Sequence, residues 1–123
     1  MQGLVRQAEE QWLPVGEALP EVPAAGVPNE AWLLDVREED EWAAGHAPDA
    51  RHIPIGQLGA RTAEIPQDAP IYVICRSGVR SARVTQALNG AGWQAVNVAG
   101  GMKDWAAAGR PMIADSGAEP FVA

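Results

Sequence analysis

The chain has 123 residues, 47% of them apolar and 20% charged, and a net charge of −7. That is the size and balance of one soluble globular domain able to bury a core. No apolar run approaches the roughly 20 residues of a membrane span, and the acidic balance argues against a nucleic-acid partner, which needs a basic face.

In chain order, Leu4, Ala8 and Trp12 recur at helical spacing, so residues 3 to 12 read as a short amphipathic helix. Pro14, Pro20, Pro23 and Pro28 leave room only for a short or irregular helix between Gly16 and Ala25. Trp32 to Val36 reads as a strand, and Glu38 to Ala44 as a helix that opens on acids and closes at Gly45. Arg51 to Pro54 is a short strand stopped by proline, and Ile55 to Ile65 a helix ended by Pro66. Ile71 to Ile74 is apolar throughout, the mark of a strand covered on both faces. Gly78 to Leu88 follows as a helix offering Val79, Ala82, Val84, Ala87 and Leu88 for packing, capped by Asn89-Gly90-Ala91-Gly92. Ala95 to Val98 is a further strand, and Gly101 to Ala108 a helix ending at Gly109. Ser116 to Ala123 reads as a loose tail from which Phe121 and Val122 can dock on the body. This alternation predicts an α/β fold, three layers deep, with a mainly parallel central sheet of about five strands. Ligands of such sheets bind beyond the carboxyl ends of the strands. Cys75 lies at such an end, and Asp35-Val36-Arg37 closes another strand.

Cys75 is the only cysteine, which leaves no internal disulfide, no CxxC pair and no cysteine-based zinc site. The segment Cys75-Arg76-Ser77-Gly78-Val79-Arg80 runs from a strand into a helix, and residues 76 to 83 hold three arginines and no acid. Converging amides, a helix start and nearby guanidinium groups all favour a thiolate over a thiol of ordinary pKa, about 8.5. Arg76 and Arg80 are placed to hold an oxyanion beside the sulfur. The plain alternative is a buried core cysteine. The polar and small residues directly after Cys75 argue against it.

Four blocks in order carry a family resemblance. They are Asp35-Val36-Arg37, the segment Gly45-His46-Ala47-Pro48-Asp49-Ala50-Arg51-His52-Ile53-Pro54, the loop Cys75 to Ser81, and Gly100-Gly101-Met102-Lys103-Asp104-Trp105 with Gly109 and Pro111. Together they resemble a single rhodanese-like sulfurtransferase domain over residues 15–112, leaving 1–14 as an N-terminal extension and 113–123 as a C-terminal tail. Ala47, Asp49 and His52 depart from the family's usual residues, all outside the loop.

The resemblance implies a rhodanese-like three-layer α/β/α fold and a thiosulfate-type sulfurtransferase. Cys75 would attack the sulfane sulfur of thiosulfate or a related donor, carry it as a persulfide and pass it to cyanide or a thiol. Arg76, Ser77, Gly78, Val79 and Arg80 would bind the substrate, with Asp35, Arg37 and Ser81 as structural support. Related phosphatases and arsenate reductases of this fold place an arginine six positions after the cysteine. Here Arg80 stands at the fifth position and Ser81 at the sixth, a loop suited to a sulfur atom. The other class of function is a rhodanese-like binding, regulatory or sulfur-carrier module acting on one protein partner. The intact Cys75 and its arginines favour catalysis.

No cofactor and no metal is expected: His46 and His52 are six apart with no cysteine near them in sequence, and a zinc site needs three or four ligands. The expected partners are a small anionic donor and an external acceptor (cyanide, a thiol or a thiol-bearing protein), for a monomer or weak homodimer without nucleic acid or membrane. The N-terminus lacks a signal peptide's basic start and apolar centre, so the cytoplasm is the expected compartment. The tryptophans Trp12, Trp32, Trp42, Trp93 and Trp105 read as packing residues, and Glu38 to Glu41 as a solvated helix start.

Overall fold

The computed structural model describes residues 19–123. The helix read over residues 3 to 12, Trp12 and the extension 1–14 lie outside the described residues. Five strands, β1 (Glu21–Pro23), β2 (Trp32–Asp35), β3 (Arg51–His52), β4 (Pro70–Ile74) and β5 (Gln94–Ala99), form one sheet in the order β1-β5-β4-β2-β3. Every pairing is parallel. The helices are α1 (Glu39–Ala44), α2 (Ile55–Arg61), α3 (Val79–Gly90) and α4 (Gly101–Ala107). Side chains alternate along each strand, so the apolar runs feed two cores. Leu34, Ile71, Val73 and Ala95 meet Val84 and Leu88 of α3 and Leu58 of α2 on one face. Leu33, Ile74 and Val98 meet Met102 and Trp105 of α4 on the other.

Sequence and structure part company in four places. β1 was not read: its three residues sit among prolines and owe their extended form to pairing with β5, not to any local pattern. The helix read to Ile65 ends at Arg61, which leaves the α region at φ −123°, and a 3-10 turn follows over Thr62–Glu64. The packing seam of α3 is Ser81, Val84, Thr85 and Leu88, while Val79 stands 61% exposed. The tail read over Ser116 to Ala123 docks through Val122 as read, and the chain before it and Phe121's main chain are tied down as well. Ile113 exchanges both main-chain hydrogen bonds with His46, and the N–H groups of Asp115 and Phe121 donate to the carbonyls of Ala43 and Ala44. Those are carbonyls at the end of α1, where a helix has no partners of its own. Val122 packs on the second core, whereas the Phe121 ring stays exposed.

Of the tryptophans, Trp105 is buried and Trp32 and Trp93 pack at the margin of the first core. Trp42 does something else. It stacks with two imidazoles, its ring centroid 3.5 Å from His46 and 4.6 Å from His52, each imidazole within 4° of parallel to it.

β2 leads outward to β3, while β4 leads to β5 on the opposite side. The order of winding reverses between β2 and β4, and the crevice beyond their carboxyl ends is where open parallel sheets hold ligands. Cys75 follows β4 there, and Val36 and Arg37 follow β2.

Candidate active site

The chain leaves β4 at Ile74 and curls over residues 75 to 78 into α3. Gly78 makes the curl possible: it caps α3 at φ +102°, a left-handed conformation that side chains disfavour. A second turn holds the loop from below. The N–H groups of Met102 and Lys103, at the start of α4, donate to the carbonyls of Cys75 and Arg76. Gly101 lets α4 come that close, since a Cβ there would fall 2.4 Å from the Cys75 carbonyl oxygen and its φ is +56°. With the carbonyls tied downward, the loop amides face the sulfur.

Cys75 Sγ accepts from the N–H of Gly78 at 3.1 Å, from the N–H of Ser81 at 3.4 Å and from Ser81 Oγ at 3.3 Å. Cys75 belongs to the first core and is 1% exposed, so at most one side of the sulfur is open to a donor. Burial pushes its thiol up. Ser81, through its hydroxyl and N–H, and the N–H groups of Gly78 and Ser77 outweigh that, and the net displacement is below the ordinary thiol value. Main-chain donors and one hydroxyl thus do the work that the sequence reading divided between amides and arginines. Ser81, read as support, touches the sulfur directly.

The two loop arginines point to different partners. Both terminal nitrogens of Arg80 donate to Glu41, at 2.9 and 2.8 Å. That hydrogen-bonded carboxylate raises the Arg80 pKa, and the Cys75 charge adds to the effect, so Arg80 still feels the sulfur. In return Arg80 holds the Glu41 carboxyl below its ordinary value. Glu41 also accepts from the Glu38 N–H in a capping box that opens α1. The sequence reading left Glu41 as a solvated acid. Its pairing spans 39 positions, and no local signal announces it. Arg76 is exposed and donates through Nε to the main-chain oxygen of Ala123 at 2.9 Å. Ser77 and Val79 are exposed on the same loop.

Asp35 and Arg37 lie beside the loop, not in it. Both are fully buried and joined at 2.7 Å. Arg37 also donates to the carbonyls of Glu41 and Gly45, tying both ends of α1 to the end of β2. Buried charges need this kind of complete pairing. His52 adds a hydrogen bond to the Arg37 carbonyl, and His46 one to the Trp42 carbonyl. Two open clefts of about 510 and 250 Å³ are lined by Trp32 and Tyr72 and by Trp105 and Arg110 respectively. Neither includes Cys75 or any loop residue.

The arrangement is a sulfur in a nest of N–H and O–H donors, on a loop whose Arg76 is exposed. Comparisons with known proteins give the family. A family model described as "Rhodanese-like domain" matches residues 22–108. The chain is 40% identical over 82 residues to the "Putative sulfurtransferase YtwF" of Bacillus subtilis, covering 67% of this chain and 80% of that one. It is 37% identical over 86 residues to a "Sulfurtransferase" of Allochromatium vinosum, covering 69% and 80%. The "Uncharacterized protein YqhL" of B. subtilis is 45% identical, and the match spans 60% of its length. Among solved structures, the rhodanese-related protein of Thermoplasma volcanium superposes with a TM-score of 0.72 at 31% identity, over 76% of this chain and 97% of that one. The thiosulfate sulfurtransferase of Pseudomonas aeruginosa superposes with a TM-score of 0.70 at 26% identity, over 96% of this chain but 23% of that one.

Proposed function

This chain belongs to the rhodanese-like domain family, and from that membership and its nested sulfur we propose that it transfers sulfane sulfur from thiosulfate to cyanide or to a thiol. The observation that carries the reading is the convergence of the Gly78 and Ser81 N–H groups and the Ser81 hydroxyl on Cys75 Sγ, which favours a thiolate without a histidine base.

In the first half-reaction the Cys75 thiolate attacks the outer sulfur of thiosulfate. A bond forms between Sγ and that sulfur, the bond between the donor's two sulfurs breaks, and sulfite departs with the electron pair. The persulfide left on Cys75 inherits the amide nest. In the second, the carbon of cyanide or a thiolate attacks the outer persulfide sulfur, and Cys75 returns as a thiolate. The exposed Arg76 meets the donor's sulfonate, and Arg80, with its charge shared by Glu41, forms the wall behind it. The acceptor comes from outside, because the chain has one cysteine. A reduced compartment such as the cytoplasm suits that free thiol, and no described helix is long and apolar enough to cross a membrane.

A second reading, a sulfur-carrier module, rests on the 40% identity over 74 residues to the "Putative sulfur carrier protein YrkF" of B. subtilis, of which the match spans 40%. Steady-state assay with thiosulfate and cyanide separates the two. Thiocyanate formation by the intact chain, reduced at least a hundredfold in Cys75→Ser, is expected for the enzyme. Equal turnover by both proteins sinks the proposal, and slow discharge to every small acceptor favours the carrier.

A further inference from the structure

We propose that the C-terminal segment Met112–Ala123 is a positioning strap that orients Arg76 for the anionic end of the sulfur donor. The proposal rests on the sulfurtransferase reading and specifies how that site takes its substrate. The family model's match ends at residue 108, before the strap begins.

Four main-chain hydrogen bonds and two packed side chains fix its course. Ile113 pairs with His46 through both main-chain hydrogen bonds, and Asp115 and Phe121 donate to the end of α1. Met112 and Val122 pack on the second core. Gly45 makes the crossing possible: a Cβ there would fall 2.5 Å from the Phe121 oxygen and 2.9 Å from its nitrogen. Beyond Val122, the main-chain oxygen of Ala123 reaches Arg76 Nε at 2.9 Å.

The consequence lies in which nitrogen is used. Nε is occupied by the strap, and among the described residues the two terminal nitrogens of Arg76 have no hydrogen bond. A guanidinium presents its donors as a rigid planar fork, so fixing Nε aims the remaining edge, which matches two oxygens of a sulfonate. Arg80 cannot serve in this way, since Glu41 already occupies both its terminal nitrogens. An exposed arginine otherwise surrenders rotamer freedom on binding, and the strap removes part of that loss beforehand.

The test measures KM and kcat for thiosulfate in the intact chain, in a chain ending at Glu119, and in Gly45→Ala. The second variant displaces the strap without shortening the chain, and its φ of 174° is one that alanine accepts. Prior positioning of one long side chain predicts a KM raised about three- to tenfold in both variants, with kcat within about twofold. The effect should vanish in an Arg76→Ala background, which a merely structural role of the strap would not produce. An unchanged KM in both variants, a lowered KM, or a strap effect that survives Arg76→Ala overturns the proposal. Sulfur loading of Cys75 is read in parallel. Loading with a strap-independent KM sinks the strap alone, whereas no loading of the intact chain sinks it together with the sulfurtransferase reading.

Discussion

At Cys75 two opposing effects meet, and the hydrogen bonds win. A sulfur in a core loses solvation, which raises its pKa, yet three donors within 3.4 Å pull it below the ordinary value. A hydrogen bond to a charged group is worth about 1.5–3 kcal/mol, roughly one pKa unit or more. Ser81→Ala removes one such donor and spares the N–H. The pH midpoint of Cys75 alkylation should therefore rise by about one unit, cutting the thiolate fraction near neutrality. A midpoint that does not move would show the hydroxyl to be idle. The cysteine and its glycine were legible in sequence, because a sole thiol between an apolar strand and a helix is a local pattern. The identity of the donors was not. Whether an arginine faces the sulfur or an acid depends on residues brought in from far along the chain, and Glu41 is the case in point.

At the scale of elements, the loop owes its shape to neighbours on both sides. α4 ties down its carbonyls, and α1 grips the first turn of α3 through Glu41 and Arg80. The latter tie depends on pH with a definite sign. Its hydrogen bonds to Arg80 depress the Glu41 pKa from 4.5 in the folded state. The pair's contribution is therefore complete above the unfolded value and is lost as pH falls through the folded one. Glu41→Gln should cost about 0.5–1 kcal/mol in urea denaturation at about pH 7, and the gap to the intact chain should narrow as pH falls below 4.5 through the lowered Glu41 value. A gap that persists undiminished in acid would place the effect elsewhere. Most elements were readable because their periodicity is strong: β4 is apolar throughout and α1 opens on acids. β1 was not, since its strand character lies in β5; of the strap only the docking of Val122 was, since the unpaired carbonyls it satisfies lie on α1.

For the whole molecule, sheet order decides where chemistry sits. Winding reverses between β2 and β4, so the Cys75 loop, the Asp35–Arg37 pair and the start of α1 share one edge of the sheet. Five parallel strands covered on both faces make that edge rigid, as positioning of a nucleophile requires. The net charge of −7 does not set the field at this edge, because charges are screened beyond roughly 8 Å at physiological salt. The most direct check of the central claim is the mass of the intact protein after incubation with thiosulfate and removal of excess donor, with peptide mapping. The account predicts one added sulfur atom per chain, on Cys75, lost on addition of cyanide; a chain that stays unmodified, or gains sulfur at any other residue, contradicts it.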